Sequence, residues 1–221
     1  MANSFGEFLR PHRTIPKTPW SAPSRWAISP LRVLVLVLGL FVFGLGEAFL
    51  LQSGIGNSPW TVLAEGVSLH FAFPIGGVTA LISCVVLLLW IPLREQPGFG
   101  TIMNIFVIAA ALQIGIAIIP HQDNYFIGLI FALLGIGLVG IGSGIYITCG
   151  LGPGPRDGLM TALHKKTGIR IGRVRLTLEI LVLTGGWLLG GTVGVGTALF
   201  ALLIGQSIAI CFGVVSRLTS Q

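Results

Sequence analysis

Few residues in this chain can do chemistry, and several of them lie where a polar group is costly. Glu47 and Glu179 each fall inside a long apolar stretch, Glu179 four residues after Arg175. A carboxylate at membrane depth costs a few kcal/mol unless paired, so an intramembrane acid is a functional candidate by default. Arg175 can pair with Glu179 across one helical turn, although Arg before Glu is the weaker order. Glu179 therefore reads either as half of a structural ion pair or as a solute or proton site. Asn104, Gln113 and Gln206 read as interhelical glue, worth about 0.6–2 kcal/mol per bond. The second constellation is backbone. Gly54-x-Gly56-x-x-Pro59 and Gly150-x-Gly152-x-Gly154-Pro155 each precede a short helical stretch, the second continuing into Arg156 and Asp157. A helix N-terminus offers unpaired N–H groups to an anion, which makes these loops candidate binding elements.

Other chemistries find no support. Cys84, Cys149 and Cys211 have no paired spacing, and His12, His70, His121 and His164 are scattered, so no metal or redox site is expected. No nucleophile–base pair suggests an enzyme, and no cofactor is implied. Gly150-x-Gly152-x-Gly154 lacks both the flanking strand of a dinucleotide fingerprint and the Gly-Lys-Ser/Thr of a Walker loop. The net charge of +6 could suggest nucleic acid, but basic residues flanking apolar spans fix topology and meet anionic lipid headgroups. Lipid is the expected partner, with a small solute and a homo-oligomer left open.

The elements that must position these residues follow from composition. The 221 residues are 53% hydrophobic and 9% charged, with mean hydropathy +0.93. A soluble domain carries about 25% charged residues. No charge occurs between Asp123 and Arg156 or between Glu179 and Arg217, and about 20 apolar residues suffice to cross the hydrocarbon core. Six spans are expected, at 33–51, 78–93, 102–119, 126–148, 174–189 and 197–215. This layout puts all 13 Lys and Arg on one side: Arg10, Arg13, Lys17, Arg25 and Arg32 before the first span, Arg94 between the second and third, Arg156 to Arg175 before or at the start of the fifth, and Arg217 at the end. By the positive-inside rule that side is the cytoplasm, with both termini.

The chain also repeats itself. A shift of 96 residues aligns Gly54-Ile55-Gly56 with Gly150-Leu151-Gly152, Pro59 with Pro155, and Gly98-x-Gly100-Thr101 with Gly194-x-Gly196-Thr197. Of the 71 pairs from Leu38/Leu134 to Ile108/Ile204, 18 are identical and eight of those are glycine. Shared apolar composition does not place glycines in register across loops. Each repeat holds three spans, an odd number, so the second unit enters from the opposite side and the repeats are inverted. That architecture recurs in transporters with a site at the repeat interface. The expected fold is all-α, with a basic Pro-rich flexible tail at 1–31, a first three-helix repeat at 32–120 and a second at 121–221. The short helix after each loop reads as interfacial or as re-entrant. The polar stripe Thr61, Glu65 and Ser68 favours the interfacial reading.

Gly150-Leu151-Gly152-Pro153-Gly154-Pro155-Arg156-Asp157-Gly158-Leu159, followed by Arg175, Glu179 and the run Gly186-Trp187-Leu188-Leu189-Gly190-Gly191, closely resembles bacterial YczE-like (YitT-related) membrane proteins. The resemblance covers about residues 32–215 and implies location and fold without a substrate. Gln206 departs from it, standing where such proteins are expected to carry proline. The leading expectation is a transporter or channel for a small solute in the bacterial cytoplasmic membrane, with an anionic solute suggested by Arg156, Arg173 and Arg175. The residues expected to carry it are Glu47, Gly54, Gly56, Pro59, Gly150, Gly152, Gly154, Pro155, Arg156, Asp157, Arg175 and Glu179. The alternative is a non-transporting accessory protein that supports a partner complex. Water-accessible polar residues along an axis would favour the first, and a dry, closely packed bundle the second.

Overall fold

The computed structural model describes residues 11 and 14–219 of the chain, and among these the regular structure is entirely helical. The helices are α1 (Pro30–Gln52), α2 (Pro59–Phe71), α3 (Ile75–Leu88), α4 (Trp90–Leu93), α5 (Phe99–Ile118), α6 (Tyr125–Thr148), α7 (Pro155–Thr167), α8 (Ile171–Leu188) and α9 (Val195–Thr219). The ends of α1, of the stretch formed by α3 and α4, and of α5, α6, α8 and α9 fall within four residues of the expected spans. Local chemistry sets the starts. Proline opens α1, α2 and α7, where its missing N–H costs nothing. Ser29 and Asn124 accept backbone N–H groups of the first turns of α1 and α6. The last helix runs through Gln206 without a break.

Among the described residues five segments are long and apolar enough to cross a membrane: α1, the stretch from Ile75 to Leu93 formed by α3 and α4, α5, α6 and α9. The sixth expected span coincides with α8, whose 18 residues include Arg173, Arg175 and Glu179, a charge load the other five lack. The bundle's outer surface is apolar, with Leu34, Leu38, Phe106, Phe126, Leu133 and Leu202 exposed. Such a surface belongs against lipid, not water.

The core is built around the crossing of α1 and α6, the most extensive helix contact. A Cβ on Gly46 would collide with the backbone of Gly135 and Val139. One on Gly142 would collide with that of Gly39 and Phe43. These are the same contact seen from each helix, because Gly142, Gly135 and Val139 lie 96 residues after Gly46, Gly39 and Phe43. The offset recurs elsewhere. α5 flanks α1 as α9 flanks α6, and α2 packs on α8 as α7 packs on α3 and α4.

The two glycine loops obey the same rule. Gly54 and Gly56 have φ of 68° and 121°, and Gly150 and Gly152 have φ of 66° and 112°, left-handed backbone that glycine adopts at no steric cost. Ile55 O accepts from Gly196 N at 2.9 Å, and Leu151 O accepts from Gly100 N at 2.8 Å. Each loop thus docks on the first turn of the last helix of the other half.

Two expectations are revised. The polar stripe of α2 does not face outward. Thr61 is buried and donates to Glu47, while Glu65 accepts from Asn57 Nδ2, Thr192 N and Thr192 Oγ1 at 2.7–2.8 Å. Nor is the described part of the tail loose. Trp20 Nε1 donates to Thr148 Oγ1 at 3.1 Å, Ala22 N to Cys149 O at 2.9 Å, and Arg25 pairs with Glu95 at 2.9 Å. Lys165 bonds the same carboxylate and, with Arg25, holds its pKa below the usual carboxylate value. The remainder of the tail, Arg10 and Arg13 included, lies outside the described residues.

The α1–α6 crossing yields a direct comparison. Gly142→Leu should lower the midpoint of thermal unfolding in detergent by on the order of 5–10 °C, as expected for overpacking against fixed backbone. Gly137→Leu, on the same helix with open space where its side chain would go, should shift it by less than about 2 °C.

Candidate functional site

A cavity of about 110 Å³ lies between the two halves. An ordered water needs about 10–15 Å³ measured this way, so there is room for several waters or one small solute. Its lining follows the sequence repeat. Phe43 and Val139, Glu47 and Ser143, Ser58 and Gly154, Trp60 and Arg156, Thr79 and Arg175, Ser83 and Glu179, Asn104 and Phe200, and Ile108 and Ile204 all line it, and each pair is separated by 96 residues. Equivalent positions of the sequence repeat thus make up most of the wall. The Arg156 guanidinium sits over the indole of Trp60, its counterpart in the repeat, 5.0 Å from the ring centre.

The scaffold is repeated but the charge is not. The second half contributes Arg156, Asp157, Arg175 and Glu179, where the first has Trp60, Thr61, Thr79 and Ser83. Only Glu47 reverses the pattern, facing Ser143 in the other half. Local folding explains how each charge is held. Glu47 Oε2 accepts from Ser58 Oγ and Thr61 Oγ1, both at 2.7 Å. Ser58 is the residue before α2, and its hydroxyl makes this bond instead of capping its own helix. The Glu47 carboxylate therefore lies at the positive end of the α2 dipole. Asp157, in the first turn of α7, accepts from Tyr146 OH at 2.5 Å. Arg175 Nε donates to Glu179 Oε1 at 2.8 Å, and this pair is partly exposed.

Arg156 differs from the other charges. Among the described residues its guanidinium makes no hydrogen bond and no ion pair, although Glu47, Asp157 and Tyr146 are close enough to act on it through space. Thr79, Ser83, Asn104 and Ser143 also line the cavity without a side-chain hydrogen bond, and Thr79 Oγ1 is fully shielded. Apart from that shielded hydroxyl, the cavity presents four unengaged polar groups, Arg156, Ser83, Asn104 and Ser143, beside an apolar wall of Phe43, Ile108, Val139, Phe200, Ile204 and Ile208. Among the described residues no three His, Cys, Asp or Glu side chains gather as metal ligands would.

Of the residues expected from sequence, Glu47, Pro59, Gly154, Arg156, Asp157, Arg175 and Glu179 meet at this cavity. Pro155 lies behind it, its carbonyl accepting from Trp90 Nε1 at 3.0 Å. Gly54 and Gly56 do not reach it, and neither do Gly150 and Gly152. They shape the loops that dock on α9 and α5. Trp60, Thr79, Ser83, Ser143 and Tyr146 were not anticipated. The signal that finds four of them is the repeat, since they occupy the positions equivalent to Arg156, Arg175, Glu179 and Glu47.

Residues 30–212 match a family model described as "Family of unknown function (DUF6198)". An uncharacterized protein of Haemophilus influenzae is 43% identical over 206 residues, covering 93% of this chain and 94% of its own. The "Uncharacterized membrane protein YczE" of Bacillus subtilis is 31% identical, over 79% of this chain and 82% of its own. A second Bacillus subtilis protein, "Uncharacterized protein YyaS", is 24% identical over 81% and 92%. No solved structure matches the chain.

The partial exposure of Arg175 and Glu179 limits what their pairing contributes to folding, since exposed ion pairs contribute about 0–1 kcal/mol. Glu179→Gln should therefore purify as folded protein. A double-mutant cycle with Arg175→Gln, read from unfolding in detergent, should give a coupling no larger than about 1 kcal/mol. Loss of folded Glu179→Gln protein, rescued by the second change, would instead make the pair structural.

Proposed function

The chain belongs to the YczE-like family of membrane proteins, the family of unknown function DUF6198, and we propose that it is a secondary transporter of a small solute in the bacterial cytoplasmic membrane. The observation that carries this reading is the polar cavity lined by equivalent positions of the two repeats. A membrane scaffold has no need of unpaired polar groups around an open space at its centre, where each costs free energy. In this reading α8 also crosses the membrane, shielded by α2, which makes six spans in two inverted repeats. The 13 basic residues then lie on the cytoplasmic side together with both termini. The short helices α2 and α7 are re-entrant, with their N-terminal ends at the cavity.

A difference between the halves supports alternating access. In the first, α3 is packed on α5. Gly76 N donates to Gln113 Oε1 at 3.1 Å, and a Cβ on Gly76 would strike Ala109 O. The equivalent residues in the second half are Gly172 and Gly205, and both face open space. There α8 scarcely touches α9, and a groove lined by Arg175, Glu179, Ala201, Ile204, Gly205 and Gln206 runs between them. One pair of helices is shut while its counterpart is parted. With basic residues on the cytoplasmic side, Gly172 lies near the cytoplasm and Gly76 near the outside, so this form is open inward. Exchanging the two arrangements would open the cavity outward, as in other inverted-repeat transporters.

The test is a cysteine pair at the parted seam. Gly172→Cys with Gly205→Cys, in a Cys84→Ser background, leaves only the buried Cys149 and Cys211. A disulfide needs Cβ atoms about 3.5–4.5 Å apart. Oxidation in native membranes should give an intramolecular bridge as α8 closes on α9, and no bridge under any solute condition would contradict a moving gate.

A further inference from the structure

If the cavity is a solute site, its side chains also say what kind of solute it takes. Three fixed charges face it outside the Arg175–Glu179 pair: Glu47, Asp157 and Arg156. Both carboxylates are already engaged. Glu47 takes two hydroxyl donors at the N-terminus of α2, and Asp157 takes the Tyr146 phenol in the first turn of α7. A helix N-terminus carries roughly half a positive charge, which offsets part of each. Arg156 has no such partner. Its guanidinium lies over Trp60, and its N–H groups form no hydrogen bond among the described residues. A cation–π contact uses none of those donors, which leaves them for a planar two-oxygen acceptor.

The rest of the cavity narrows the choice. Among the described residues the side chains of Ser83, Asn104 and Ser143, which line the cavity, have no hydrogen-bond partner. Buried polar groups without partners are costly, so an occupant that supplies an acceptor or donor to them is favoured. The facing wall of Phe43, Ile108, Val139, Phe200, Ile204 and Ile208 suits carbon. Inorganic phosphate or sulfate would leave that wall unmatched, and a second negative charge would face Glu47 and Asp157.

We propose that the cavity binds a small organic monocarboxylate, its carboxylate on the edge of Arg156 and its carbon body against the apolar wall. A hydroxyl or keto group on that body meets the unpaired side chains of Ser83, Asn104 and Ser143, so hydroxylated acids bind more tightly than alkyl acids of equal length. This rests on the cavity being a solute site, and equilibrium binding separates it from the transport reading.

The experiment is calorimetric titration of the purified full chain in lipid nanodiscs at constant ionic strength. The probes are propionate, 2-hydroxypropionate, propionamide, alanine and inorganic phosphate. The proposal expects 2-hydroxypropionate to bind more tightly than propionate, with propionamide and phosphate at least tenfold weaker. Arg156→Gln should weaken 2-hydroxypropionate at least tenfold, and Arg156→Lys, which keeps the charge but loses the two-pronged edge, should fall between. Ser143→Ala, with thermal unfolding unchanged, should remove the advantage of the hydroxyl acid without touching propionate, which keeps the test decisive if Arg156 variants do not fold. Tighter binding of alanine, propionamide or phosphate, or binding indifferent to Arg156 and Ser143, would overturn the proposal. Carboxylate binding with no flux in proteoliposomes would uphold it and remove the transport reading. Flux of another solute with no carboxylate binding would do the reverse.

Discussion

Irregular backbone inside a membrane protein must find every hydrogen bond within the protein, because the hydrocarbon supplies none. The two glycine loops meet this constraint by reciprocal exchange. Ile55 O is satisfied by Gly196 N, and Leu151 O by Gly100 N. Neither half can complete its own loop. The close approach this requires admits no side chain at Gly56 or Gly152, whose Cβ atoms would collide with Gly194 and Thr197 or with Gly98 and Thr101. From these two anchors the rest is placed. They fix the directions of α2 and α7, so that Ser58 meets Glu47 and Arg156 meets Trp60, its counterpart in the repeat.

The second theme is symmetry of backbone without symmetry of charge. A repeated scaffold offers each wall position twice, and at the centre the two copies differ. Trp60 answers Arg156, Thr79 answers Arg175, Ser83 answers Glu179, and Ser143 answers Glu47. Two arginines stacked at the axis would repel each other, and the indole instead gives the guanidinium a favourable face. The same difference bears on the seams. Thr79 lies on a helix packed against α5, whereas Arg175 lies on a helix parted from α9. Charged groups beside an opening retain access to water, which lowers their desolvation cost relative to a closed seam.

Much of this was legible in the sequence for identifiable reasons. Charge-free stretches mark helices, and glycines in register mark the places where helices touch. Glu47 and Arg156 stand out because ionisable groups are rare in such surroundings. Four features were hidden. Small hydroxyl residues such as Ser83 and Ser143 look like packing residues in an apolar helix, and only their equivalence to charged positions singles them out. The Tyr146–Asp157 bond joins the end of one helix to the start of another across an irregular loop, whose path sequence periodicity does not describe. The stripe of α2 records that one face is polar but not what it meets, and here it meets Glu47 and Thr192 instead of headgroups. The tail reads as loose from its prolines and charges. The contacts of Trp20 and Arg25 with Thr148 and Glu95 depend on where the distant helices end.

The central claim is that two halves of like fold lie in opposite senses across the membrane around a shared site. Its most direct test is an experimental structure in lipid nanodiscs, where the lipid belt is visible and the membrane normal is therefore known. The account predicts six crossings, with residues 33–119 superposing on 129–215 by a rotation of about 180° around an axis in the membrane plane that passes between Trp60 and Arg156. An axis along the membrane normal, or α8 lying outside the lipid belt, would contradict it.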